Sequence, residues 1–239
     1  MAREISVLIT RPQPDADALA QRLSRMGYAP IVAPMTRLER EEREDVSALE
    51  NRGGAVFTSA NGVRSIAEDI PRTVLTGLPN RFVAYCVGAR TATAADEAGF
   101  ANVISADGDA SDLIALLRRC EAKRLALFRG EAVAVDLQAA LPEIDFEDHV
   151  LYRARPVEEM PAALRTQHSV DVALFLSERA AAGFAALARD RNWSQPVALC
   201  LSARIAEPLT SLKFRQVDVA SRPGLSDLLA LLPPLSKAS

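Results

Sequence analysis

The chain has 239 residues, enough for one large domain or two modest ones, and its 49% apolar content supports packed cores rather than disorder. A net charge of −3 argues against a general nucleic-acid-binding surface, and no run approaches the roughly 20 apolar residues that span a bilayer. Met1-Ala2-Arg3-Glu4 leads directly into a strand-like run with no signal-peptide core, so the expected location is the cytoplasm.

In chain order, Ile5 to Ile9 is a short apolar run broken by Thr10-Arg11-Pro12. Leu19, Leu23 and Met26 lie on one face of a helix from Asp15 to Met26, which Gly27 ends. Ile31 to Met35 reads as extended, with Pro34 restricting it to an edge or a crossover. The charge-dense stretch from Arg37 to Asn51 predicts an exposed helix. Ala55 to Phe57 is a strand, and Ser59-Ala60-Asn61-Gly62 turns into a helix. A loop with Pro71, Gly77 and Pro79 follows. Val83 to Val87 is a strand, Gly88-Ala89-Arg90 opens a helix to Glu97, and Gly99 caps it. Val103-Ile104 is a short strand, Asp107-Gly108-Asp109 a turn, and a helix starts at Ser111-Asp112. In the second half Leu125 to Phe128 is a strand followed by a helix to Leu141, and His149 to Arg153 is extended until Pro156. Strand–helix pairs follow at Val172 and Val197, then a last helix from Ser226. This alternation predicts parallel sheets with helices on both faces.

The chain is also written twice. Val83-Ala84-Tyr85-Cys86-Val87-Gly88-Ala89-Arg90 returns as Val197-Ala198-Leu199-Cys200-Leu201-Ser202-Ala203-Arg204. Val56-Phe57-Thr58-Ser59 returns as Leu174-Phe175-Leu176-Ser177, and Arg11 and Tyr28 return as Arg129 and Phe146. The period is that of a small domain rather than a solenoid repeat. Two similar α/β lobes predict a small-molecule site in a cleft between them.

Ligands of parallel sheets gather at the carboxyl ends of strands, so the loops there hold the candidate site residues. They are Arg11, Thr58, Ser59, Asn61, Arg90, Thr91, Arg129, Gly130, Ser177, Ser202 and Arg204. Hydroxyls and exposed N–H groups at helix starts suit an anion, and arginine adds a charge-assisted fork. Plain N-capping is the competing reading for each Ser and Thr. Arg90 and Arg204 oppose the helix dipole, which points to an anionic partner. Cys86 and Cys200 fall in apolar runs and read as small core residues. Neither His149 nor His168 has a metal-ligand neighbour at useful spacing, and no glycine-rich nucleotide loop or phosphate loop is present. Metal binding at the histidines and nucleotide binding of these types are therefore not expected. Tyr152, in Val150-Leu151-Tyr152-Arg153-Ala154-Arg155-Pro156, offers a phenol where the chain passes between lobes.

Taken together, these motifs resemble the uroporphyrinogen-III synthase family. The likeness covers nearly the whole chain through Leu8-Ile9-Thr10-Arg11-Pro12, Phe57-Thr58-Ser59-Ala60-Asn61-Gly62, Val87-Gly88-Ala89-Arg90-Thr91-Ala92, Phe128-Arg129-Gly130, the Tyr152 segment, Phe175-Leu176-Ser177 and Ser226-Asp227-Leu228. It implies two flavodoxin-like lobes joined by a two-stranded linker, with residues 1–34 plus 157–239 in one lobe, 39–148 in the other, and crossovers at 31–38 and 149–156. It implies cyclisation of hydroxymethylbilane to uroporphyrinogen III, with loss of water and inversion of ring D through a spiro intermediate, without a cofactor. Tyr152 aligns with a cleft tyrosine that is a proposed proton donor to the departing hydroxyl, and Ser59 and Ser177 align with cleft hydroxyls. A small-molecule substrate, no nucleic-acid or membrane partner, and a monomer are expected. One departure stands out: Ser202-Ala203-Arg204-Ile205-Ala206 replaces a Gly-Pro-Thr-Thr-Ala pattern of many relatives, so a cleft threonine is lost and Arg204 is the candidate replacement. The alternative reading is a non-catalytic two-lobe small-molecule sensor.

Overall fold

Eleven strands among the described residues form two sheets. The computed structural model describes residues 4–41, 49, 52–133, 135–166, 170–222 and 224–235. In chain order the strands are β1 (Ser6–Ile9), β2 (Ala29–Val32), β3 (Thr36–Arg40), β4 (Gly54–Phe57), β5 (Val83–Cys86), β6 (Val103–Ser105), β7 (Arg124–Gly130), β8 (Asp145–Pro156), β9 (Val172–Phe175), β10 (Val197–Cys200) and β11 (Gln216–Val219). One sheet has the order β11-β10-β9-β1-β2, and the other the order β3-β8-β7-β4-β5-β6. The chain divides into two units, Met1–Leu38 with Arg155–Ser239, and Glu39–Ala154.

The five-stranded sheet is parallel throughout its ladder. Its order, taken from the edge, is the 2-1-3-4-5 arrangement of flavodoxin-like folds. Strands buried on both faces must be apolar at every position. Accordingly Leu8, Ala173 and Phe175 face one core layer with Phe184 and Trp193, while Val7, Ile9, Val172 and Leu174 face the other with Leu19 and Leu23. Pro30 is tolerated in β2 because β2 is an edge strand paired only with β1.

In the six-stranded sheet, β4 to β8 are parallel. Ala55 and Phe57 face one core layer, where Phe57 stacks on Phe128 with centroids 5.3 Å apart, and Val56 faces the other with Leu113 and Leu141. Strand β3 closes one edge. Val157 N–H donates to Met35 O and Glu41 N–H to Leu151 O, so β3 runs antiparallel to β8.

The helices are α1 (Asp15–Arg25), α2 (Ala60–Asp69), α3 (Arg72–Thr76), α4 (Ala89–Ala98), α5 (Ala110–Leu117), α6 (Leu137–Ala140), α7 (Ala162–Thr166), α8 (Glu178–Leu187), α9 (Ala203–Ala206) and α10 (Leu225–Leu229), with a 3₁₀ turn at Glu207–Leu212. Gly99 ends α4 in the left-handed region at φ 112, as its position after Glu97 implied.

Four local expectations are corrected. Residues 37–40 are strand, not helix, and most of the rest of that stretch, 42–48 with 50 and 51, lies outside the described residues, as does His168. The charges of residues 37–40 are those of an exposed edge strand, which charged side chains protect from further pairing. The loop after Pro71 contains α3. The helix expected up to Leu141 is a single turn, α6. Helix α5 starts from Asp109, whose carboxylate accepts the Ser111 and Asp112 N–H groups while the Asp112 carboxylate accepts the N–H of Asp109.

Candidate active site

Within the Glu39–Ala154 unit, a cavity of about 690 Å³ opens at the carboxyl ends of β4, β7 and β8. Thr58 and Ser59 follow β4, Arg129 and Gly130 end β7, and Asp148 and Tyr152 project from β8. Val87, Leu127, Val133, Val135 and Phe146 supply an apolar wall.

The centre of the site is a contact between Tyr152 and Ser59, whose hydroxyl oxygens are 2.7 Å apart. Ser59 is the N-cap of α2, and its Oγ accepts the Gly62 N–H at 3.2 Å. Strand β8 presents Tyr152 through a bulge: Arg129 pairs with Val150, but Gly130 pairs with Tyr152, so Leu151 is skipped. Gly130 must lack a side chain there. A Cβ at Gly130 would meet the Tyr152 ring at 2.6 and 2.7 Å and its hydroxyl at 2.9 Å.

Arg129 makes four hydrogen bonds within the protein. Its Nε and Nη2 donate to the two oxygens of Asp148 at 2.7 and 2.5 Å, and its Nη1 donates to the carbonyls of Gly130 and Glu131 at 3.0 and 3.3 Å. Of the other residues expected in this unit, Asn61 accepts from Arg64 at 2.8 Å, Arg90 is exposed in the first turn of α4, and Thr91 is 4% exposed. None of these three lines the cavity.

In the other unit, the equivalent of Ser59 is Ser177, which caps α8 and accepts the Ala180 N–H at 3.2 Å. Arg11 pairs with Asp15 at 2.5 Å and is mostly buried. Ser202 is the N-cap of α9 without a side-chain bond to it, and the exposed Arg204 pairs with Glu178 at 2.7 Å. Ile205 is 8% exposed and packs in the core with Phe175 and Phe184, so that position is an apolar packing position. At the repeat offset, Pro34 stands where the other half has Tyr152. The phenol–hydroxyl pair therefore belongs to one unit alone.

Sequence reasoning passed over Asp148, Asp136 and Gln138. Asp136 caps α6, and Gln138 ties that turn to β8 by donating to Ile144 O at 3.1 Å and accepting from Phe146 N–H at 3.3 Å. Asp148 carried no usable signal: it lies four residues before Tyr152, but the skipped Leu151 between them breaks the even spacing that would share a face.

The family model described as uroporphyrinogen-III synthase HemD matches residues 17–230, most of the chain. The chain belongs to the uroporphyrinogen-III synthase family. Among solved structures, the uroporphyrinogen-III synthetase of Helicobacter pylori matches with a TM-score of 0.64 at 18% identity, over 96% of this chain and 98% of that one. A mutant uroporphyrinogen III synthase of Thermus thermophilus matches with a TM-score of 0.52 at 22% identity, over 95% and 96%. At these identities the two structures speak for the fold, and the fold agrees. Among curated proteins, none matches the sequence. As a uroporphyrinogen-III synthase, the enzyme is a cyclising lyase of porphyrin and heme biosynthesis that converts hydroxymethylbilane to uroporphyrinogen III. The sensor reading is not favoured. Among the described residues no helix is long and apolar enough to cross a membrane.

Proposed function

We propose that the cavity beside Tyr152 is where the hydroxyl of hydroxymethylbilane leaves, with Tyr152 as its proton donor. The 2.7 Å contact between Tyr152 and Ser59 carries this reading. Ser59 accepts from the α2 backbone at Gly62, and of the two directions open to its bond with Tyr152, the one in which Ser59 donates leaves the phenol O–H directed at a ligand. Such chains strengthen each successive donor. As the C–O bond breaks, its electron pair stays on the oxygen, the phenol proton makes it water, and the pyrrole nitrogen delocalises the charge left on carbon. The harder task is holding the two terminal rings so that closure follows inversion, which is a matter of orientation. The apolar wall of the cavity suits a pyrrole face.

The substrate's carboxylates are assigned to Thr58, Asn61, Arg90 and Thr91 in this unit and to Arg11, Ser177, Ser202 and Arg204 in the other. The exposed positions of Arg90 and Arg204 support the assignment best, and the burial of Thr91 supports it least. The enzyme is proposed to act as a cytoplasmic monomer on a free small molecule, without nucleic acid.

Tyr152→Phe tests the central assignment, because it deletes one hydroxyl and keeps the ring. Turnover should fall by about 10²-fold or more, the usual contribution of a positioned general acid, with the thermal midpoint unchanged. Wild-type turnover in this variant would remove Tyr152 from the chemistry.

A further inference from the structure

We infer that Arg129 and Asp148 form a clasp that sets the β7–β8 bulge and so aims the Tyr152 hydroxyl, rather than a receptor for a substrate carboxylate. The inference rests on the Tyr152 reading above, and its test separates the two.

Four of the five guanidinium N–H groups are already bonded within the protein. One edge of its fork holds both oxygens of Asp148, and the other holds the carbonyls of Gly130 and Glu131. A substrate carboxylate could take the bidentate Nε–Nη2 edge only by displacing Asp148 from a geometry it matches. The bonds made by Arg129 instead bracket the irregular point of the ladder. Asp148 lies on β8 before the skipped Leu151, Gly130 ends β7 at that point, and Glu131 follows it. Tyr152 is at the same point: its carbonyl accepts the Glu131 N–H at 2.9 Å, and its ring fills the space that a Gly130 Cβ would take. A one-residue slip in pairing exchanges the faces of a strand, so a bulge needs something to hold it in register. The Arg129 side chain, 17% exposed, spans it from both strands. Without the clasp the carbonyls and Asp148 separate, β8 relaxes, and the phenol leaves the reach of Ser59. Arg129 and Asp148 are thus positioning residues.

The enzyme contains three tyrosines, so 3-fluorotyrosine labelling gives three ¹⁹F resonances, and the spectrum of Tyr152→Phe assigns one of them. Asp148→Asn keeps the shape of the carboxylate, and Arg129→Lys keeps the charge but loses the fork. Both variants should move the Tyr152 resonance in the direction that Ser59→Ala moves it, leaving those of Tyr28 and Tyr85 in place. Both should lower kcat roughly 10- to 100-fold, as misplacement of a reacting group does, with KM for hydroxymethylbilane within about 3-fold of wild type. A rise of about 10-fold in KM with kcat and the resonance unchanged would overturn the clasp and make Arg129 a carboxylate receptor. A resonance that moves while Tyr152→Phe turns over normally leaves the clasp standing and removes the acid role of Tyr152.

Discussion

Cys86 and Cys200 hold equivalent positions at the ends of β5 and β10, and neither is exposed. Burial, with a smaller effect from Asp96 and Asp218 respectively, pushes each thiol up from 9.0 to about 12. The unfolded chain therefore loses these protons near pH 9 while the folded chain keeps them. Below pH 9 the two states bind the same protons and the thiols add no pH dependence. Above it, stability falls as pH rises, by up to about 1.4 kcal/mol per pH unit per thiol, until the folded thiols titrate. Urea melts at pH 8.0 and 10.5 should show a smaller loss in the Cys86→Ala, Cys200→Ala double variant than in wild type. Equal losses would mean the thiols titrate freely in the native state. At this scale the sequence was informative about type and poor about contact. The apolar runs around both cysteines announced their burial, and Tyr152 and Ser59 were both selected as site residues. That their hydroxyls meet depends on a skipped residue in a ladder, which no local pattern displays. Gly130 was selected as a ligand contact, and its missing Cβ, which makes room for the Tyr152 ring, was not foreseen.

Ser59 and Ser177 stand at the same place in two copies of one strand–helix element, yet only Ser59 touches a tyrosine. Each accepts one backbone N–H of its helix, so alanine at either should cost roughly 1 kcal/mol, or about 2–4 °C in a chain of this size. Ser59→Ala should also lower kcat, because it deprives Tyr152 of its partner. Ser177→Ala should raise KM and leave kcat within about 3-fold of wild type. Thermal melts with steady-state kinetics on both variants check this, and equal kcat losses would show the Tyr152 contact to be incidental. Elements with clear period and punctuation, such as β1, α1 and α4, were legible. Strand β3 was misread because Arg37, Glu39 and Arg40 resemble a solvated helix, while the pairing with β8 that makes them a strand comes from residues more than a hundred positions away. Helix α3 is too short to display a period.

Across the whole molecule, the duplication read from sequence reappears as one strand order used twice. With β3 set aside, β2-β1-β9-β10-β11 and β8-β7-β4-β5-β6 are the same arrangement built from matching segments. The chain starts in one unit, completes the other, and returns, a path that the repeat offsets alone do not display. The duplication was legible because strands buried on both faces must stay apolar in both copies. The asymmetry between the copies was less so: it rests on a tyrosine in one copy where the other has proline. The most direct test is to give the purified enzyme hydroxymethylbilane with no added cofactor and resolve the product isomers. Uroporphyrinogen III should form, faster than the spontaneous reaction yields the type I isomer. Type I product alone, at the rate seen without protein, would contradict the account.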